Sequence, residues 1–168
     1  MATRQELQIE LHRIRGNGLG DMLARHAREN NFPAEFFFAI ASRETNCVNE
    51  LGDDPGDGSG PHGVGIVQID IQHDIARQAR DSGSWKTHPD PLIAFGARML
   101  ASNINQAKQH FPKFDEHQVL KVAASGYNAG MGNAIAGAEE GDSDKRTTGH
   151  DYGADVMARM AIFQQLNH

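Results

Sequence analysis

The chain has 168 residues, 39% hydrophobic and 23% charged, an ordinary globular balance and enough length for one cored domain. Sixteen basic against 22 acidic side chains give a net charge of -6, which argues against non-specific nucleic-acid binding and against electrostatic capture by anionic membranes or wall polymers. The single cysteine, Cys47, excludes an internal disulfide framework and a zinc site built on several thiolates.

The pattern is helical nearly throughout. Thr3-Arg4-Gln5-Glu6 reads as a capping box, followed by Leu7, Leu11 and Ile14 at helical spacing and a stop at Gly16-Asn17-Gly18. No apolar leader core or small-residue cleavage site precedes it, and no run of 18 apolar residues follows. A second amphipathic segment spans about Leu19 to Asn30. Pro33 suits the first position of a third helix, which the pattern ends near Glu44. Asn49 to Gly65, rich in Gly and Asp, predicts a loop, and Gly63 to Asp70 a short strand-like piece. Helix is predicted again from about Gln72 to Arg80. The longest periodic stretch carries Ile93, Ala97, Leu100, Ile104, Ala107 and Phe111. Shorter helices are predicted over Glu116–Ala124 and Gly132–Ala138, with a Tyr-Asn-Ala-Gly turn between them. Gly141 to Thr148 reads as a polar loop, and Val156, Met160 and Phe163 mark one face of a final helix.

Chemistry concentrates at the end of Phe36-Phe37-Phe38-Ala39-Ile40-Ala41-Ser42-Arg43-Glu44. A carboxyl held among apolar neighbours resists ionisation, because its charged form loses hydration. A neutral carboxylic acid is what a general acid must be. The plain alternative is a glutamate that ends a buried helix and faces water. The loop acids Asp53, Asp54 and Asp57 lack the ligand alternation and closing glutamate of a calcium loop, and nine histidines form no His-Glu-x-x-His pair. Neither a metal nor a cofactor is implied.

Four segments in order then carry a resemblance: Ser42-Arg43-Glu44-Thr45, Gly63-Val64-Gly65-Ile66-Val67-Gln68-Ile69-Asp70, Ser125-Gly126-Tyr127-Asn128-Ala129-Gly130 and His150-Asp151-Tyr152-Gly153-Ala154-Asp155-Val156-Met157-Ala158-Arg159. From about Phe32 onward the chain resembles goose-type lysozymes and, more loosely, the catalytic domain of soluble lytic transglycosylases. The resemblance implies Glu44 as the acid that protonates the glycosidic oxygen, since an alkoxide is a poor leaving group. It implies Asp70 as an aspartate that positions attacking water, where transglycosylases usually lack an acid. A second loop aspartate belongs to the pattern; Asp53, Asp54 and Asp57 are available, and Asp57 is favoured for its Gly-Asp-Gly setting. Gln68, Tyr127 and Asn128 match positions lining the sugar cleft, although Tyr127 equally suits a core aromatic. Tyr152 matches a tyrosine that reaches the cleft floor. His73 lies one residue out of register from a groove histidine. Trp85 suits sugar stacking or plain packing, and Cys47 a buried small hydrophobe.

The expectation is therefore a mainly α, lysozyme-like fold of goose type, one domain over 1–168, with 1–31 as a helical extension and a cleft between helical lobes. The implied function is cleavage of the β-1,4 bond between N-acetylmuramic acid and N-acetylglucosamine in peptidoglycan, by inverting hydrolysis. Lytic transglycosylation by the same Glu44, a non-catalytic glycan-binding module and a chitin-directed activity are the alternatives. Peptidoglycan strands are the implied partner, a proteinaceous lysozyme inhibitor is allowed, and neither nucleic acid nor membrane is expected. A monomer is expected. With no leader read in the sequence, action on the cell wall would follow release or delivery by another system.

Overall fold

The computed structural model describes residues 2–167. Helix α1 (Arg4–Gly16) opens with both halves of the predicted box: the Glu6 N–H donates to Thr3 Oγ1 at 3.3 Å and the Thr3 N–H to Glu6 Oε2 at 2.7 Å. Leu7, Leu11 and Ile14 are buried as their spacing requires. Helix α2 (Leu19–Glu29) and helix α3 (Ala34–Thr45) follow. Pro33 caps α3 from outside, in extended backbone, one position earlier than predicted. Phe36, Phe37, Ala39, Ile40 and Ala41 are fully buried, and Phe32 sets its ring edge-on to Phe36 and Phe37 at 6.0 and 5.7 Å. A helix apolar on all sides must be a core helix, and α3 packs against both α2 and the last helix of the chain.

Two short antiparallel strands, β1 (Gly63–Val64) and β2 (Ile69–Asp70), pair Gly63 with Asp70 and Val64 with Ile69. Helix α4 (Asp74–Ser82) leads into α5 (Ser84–Thr87), a single turn carrying Trp85 that the sequence pattern does not signal. Helix α6 (Asp90–His110) presents Ile93, Ala97, Leu100, Ile104 and Ala107 to the core.

The structure corrects the sequence reading in two places. Helix α7 (Glu116–Ala129) runs on past Ala124 through Tyr127-Asn128-Ala129, where the pattern predicts a Tyr-Asn-Ala-Gly turn, and is capped by Gly130. Gly126 is there for space: a Cβ on it would lie 2.2 Å from Met131 Sδ, at the start of α8 (Met131–Glu139). The segment after Gly141 is not a solvated loop. It forms 3-10 turns at Ser143–Arg146 and Thr148–His150 and buries Ser143, Asp144 and Thr147. Asp144 Oδ1 accepts from the Gly153 N–H at 2.7 Å and from Ser125 Oγ at 2.9 Å, and Oδ2 accepts from the Ala154 N–H at 2.9 Å. A buried carboxylate is tolerated when donors surround it. These bonds fix the first turn of α9 (Tyr152–Leu166), the helix that packs on α3 and α7.

Cys47 is fully buried behind the end of α3, and burial, with Glu10 nearby, pushes its thiol pKa far up. It is a packed side chain with no thiolate character.

Candidate active site

Glu44 sits one residue before the end of α3, at the head of a cleft of about 220 Å³. The cleft is walled by the β2 segment from Gln68 to His73, by Met99 of α6 and by Tyr127 and Asn128 of α7. A larger groove of about 510 Å³ runs between α1 and Leu166, but no carboxylate lines it.

Burial is the main influence on Glu44 and holds its carboxyl above the usual carboxylate range. Two weaker influences oppose it, a hydrogen bond from Tyr152 and the positive charge of Arg43. The Tyr152 hydroxyl donates to Glu44 Oε1 in a very short contact. With the phenol as donor to Oε1, a proton on the carboxyl belongs on Oε2. Tyr152 itself is only 3% exposed, and burial beside Glu44 keeps its phenol protonated, with a pKa well above the ordinary value. Across the cleft, Asp70 is exposed. Its Oδ1 accepts from the Gln72 N–H at 2.7 Å, which fixes the side chain and leaves the second oxygen without a protein partner among the described residues. The cleft thus holds one half-buried carboxyl, raised in pKa, and one exposed aspartate.

Comparison with known proteins gives the family. The family model of lysozyme g matches residues 17–166. The lysozyme g of Epinephelus coioides is 31% identical over 164 residues, covering 95% of this chain and 77% of that protein. That of Casuarius casuarius is 32% identical over 126 residues, 75% of this chain and 62% of that protein, and that of Gallus gallus is 32% identical over 126 residues, 75% and 54%. This chain belongs to the lysozyme g family. It spans between about half and three quarters of the length of these relatives. The match to the lysozyme g family starts at residue 17, so α2 belongs to the shared region that the sequence motifs placed only from Phe32.

Within this lysozyme g frame the sequence candidates fall into three groups. Glu44, Gln68, Asp70, His73, Tyr127 and Asn128 line one cleft. Asn128 Oδ1 accepts from the Thr148 N–H at 2.8 Å, which turns its amide NH₂ outward as a donor. The Tyr127 hydroxyl donates to Val67 O at 2.6 Å, so the residue both lines the cleft and ties α7 to the β segment. Gln68 has φ +50°, and its NH₂ donates to Gly65 O at 2.8 Å and Glu50 O at 3.2 Å. Its side chain fits only because residues 52 and 63 are glycines; a Cβ at Gly63 would lie 2.1 Å from Gln68 Oε1. Gln68 therefore spends its donors on the loop, and only its position borders the cleft. The His73 ring leans on Phe95 with centroids 4.9 Å apart.

Tyr152 forms the second group: it contacts the acid from behind and is not part of the cleft lining. The loop aspartates form the third. Asp57 is exposed on a turn in which its Oδ1 accepts from Ser59 N–H and Oγ, bonds that hold its pKa below the ordinary value. The same turn is pinned by the Arg80 guanidinium to Ser59 O at 2.8 Å. Asp53 and Asp54 are also exposed, and none of the three lines the cleft. Trp85 packs partly buried beside the Asn49 amide, which donates to its carbonyl at 2.9 Å, outside the cleft. Sequence reasoning did not find Ile69, Gln72 or Met99 in the lining. Gln72 adjoins two motif residues and was within reach of that reading; Met99 comes from a distant helix and carries no signal.

Tyr152→Phe removes the donor that favours the ionised form of Glu44. The alkaline limb of the pH–rate profile should move up, and turnover at its optimum should fall about tenfold, the loss of one modest hydrogen bond. Steady-state rates measured across pH in both proteins check this; a limb that moved down would contradict the assigned donor.

Proposed function

We propose that this chain cleaves the β-1,4 bond between N-acetylmuramic acid and N-acetylglucosamine of peptidoglycan by inverting hydrolysis. The single observation that carries the reading is the pairing, in one cleft, of a carboxyl whose pKa is raised by burial with an exposed aspartate anchored on a turn. Relatives named lysozyme g support the choice of substrate.

Glu44 Oε2 supplies the proton to the leaving glycosidic oxygen while the sugar takes on oxocarbenium character. Tyr152 holds Oε1, so the proton is presented from a fixed direction. Asp70 accepts a proton from water that attacks the opposite face of the ring. Its Oδ1 is occupied by the Gln72 N–H, which leaves the other oxygen for the water. Asn128 offers an NH₂ to the carbonyl and hydroxyl acceptors of N-acetyl sugars. A single domain acting as a monomer on the cell wall fits this reading.

Mass spectrometry of soluble fragments from purified peptidoglycan tests it. Hydrolysis gives reducing ends one water heavier than the alternative 1,6-anhydro-muramic acid products. Anhydro products as the main yield would transfer the reaction to transglycosylation with Glu44 still the acid. No soluble fragments at all would leave the cleft as a binding groove.

A further inference from the structure

Arg43 precedes Glu44 on α3, and a free guanidinium there would favour ionisation of the acid beside it. It is not free. Its Nη2 donates to Asp151 Oδ1 at 3.0 Å and its Nη1 to Asp155 Oδ2 at 3.1 Å. Its guanidinium lies over the Tyr152 ring, 5.5 Å from the centroid. Asp155 is 2% exposed, and the same Oδ2 accepts from Arg159 Nε at 2.8 Å. Arg159 Nη1 continues to Ser42 Oγ at 2.7 Å, and Ser42 Oγ to the buried Glu10 of α1. Asp155 Oδ1 is the one buried side-chain polar atom without a hydrogen-bond partner among the described residues. Two arginines stand against this buried carboxylate.

We infer that Asp151 and Asp155 make Arg43 a positioning residue, holding its guanidinium against the Tyr152 ring and offsetting its charge beside Glu44. This rests on the reading of Glu44 as the acid. The titratable or charged groups around Glu44 are Arg43 on its own helix, Tyr127 from α7, Tyr152 from α9, and Asp70 and His73 across the cleft. Behind them α9 brings Asp151, Asp155 and Arg159. Tyr152 is buried and Tyr127 partly so, and both phenols have pKa values held well above the ordinary value. That leaves Arg43 as the cation next to the acid, and two carboxylates, Asp151 at the N-cap of α9 and Asp155 in its first turn, offset it. The N-terminal turn of α9 thus does two things for one carboxyl: Tyr152 orients it, and Asp151 and Asp155 restrain its charged neighbour.

The test follows the Glu44 side-chain carboxyl by carbon NMR across pH in the full chain, beside pH–rate profiles on peptidoglycan. Asp151 is 57% exposed, so Asp151→Asn keeps the fold. In that variant Arg43 is half released, and the Glu44 titration and alkaline limb should both fall by about 0.5–1 unit. In an Arg43→Met background the same substitution should move neither by more than about 0.2 unit, because the carboxylate acts only through the guanidinium. Equal shifts in both backgrounds would mean a direct charge effect of Asp151 and would overturn the proposal, as would no shift in the single variant. If Arg43→Met does not fold, Arg43→Lys replaces it. A lysine keeps the charge but cannot span both carboxylates, so the titration should fall there too, and an unchanged value would overturn the proposal. A wild-type protein that leaves peptidoglycan intact would sink the catalytic reading alone, because the NMR titration still decides where Arg43 acts.

Discussion

Glu44→Gln should lower turnover of peptidoglycan by about 10²–10⁴-fold, the contribution of a positioned general acid. The amide keeps the shape and can still accept from Tyr152, but it has no proton to give. The loss should fall on kcat with little change in KM, as for an interaction made in the transition state. Stability should move the other way. The wild-type carboxyl is held above the usual carboxylate range by burial, so the fold favours its neutral form. At pH values above its folded pKa, keeping it ionised in that setting costs free energy that a neutral amide does not. Thermal unfolding above neutral pH should therefore show the variant at least as stable as the wild type. An inactive variant that was also unfolded would void the test; a folded variant with wild-type turnover would remove Glu44 from the mechanism.

Asp70→Asn is the second large effect. If Asp70 acts as general base, hydrolysis should fall by roughly 10²–10⁴-fold. An asparagine can still accept the Gln72 N–H, so the turn stays in place while the charge facing the water is lost. The structure separates this residue from Asp57. Asp57 lies on an exposed turn away from the cleft lining and its lone pairs serve Ser59. Asp57→Asn should change turnover by less than about twofold, and adding it to Asp70→Asn should have no further effect, as for sites that share no partner. Initial rates of the two single variants and the double variant check this. A synergistic loss in the double variant would bring the loop aspartate back into the catalytic machinery.

The helices were legible because burial leaves a period. Leu7, Leu11 and Ile14, or Ile93, Ala97, Leu100 and Ile104, had to share a face, and they do. The Thr3–Glu6 box was legible because capping is a contact between residues three apart. Misreadings came where one residue type serves two ends. Tyr127-Asn128-Ala129-Gly130 suggested a turn, yet Gly126 makes room for Met131 and the helix continues to Ala129. The polar run after Gly141 suggested solvent, yet Asp144 finds its donors on Ser125, Gly153 and Ala154 and goes inside.

The site divides in the same way. The sequence alone determined that an acid would follow the apolar Phe36–Ala41 run, and that Asp70 would end a glycine-rich segment, because both facts are local. It could also place Tyr127, Asn128 and His73 near them by motif. Only the tertiary structure decided which groups surround those acids. Tyr152 and Glu44 are 108 positions apart, and their bond exists because α9 packs on α3. Arg43 gains its ion-pair partners only when Asp151 and Asp155, at the cap and in the first turn of the same distant helix, arrive. The Gly-Asp-Gly setting favours Asp57 among the three loop aspartates, yet its turn is exposed and lies outside the cleft lining. Whether a carboxyl stays protonated depends on what excludes water from it and which charges stand beside it, and those neighbours come from packing between elements, which no spacing along the chain encodes.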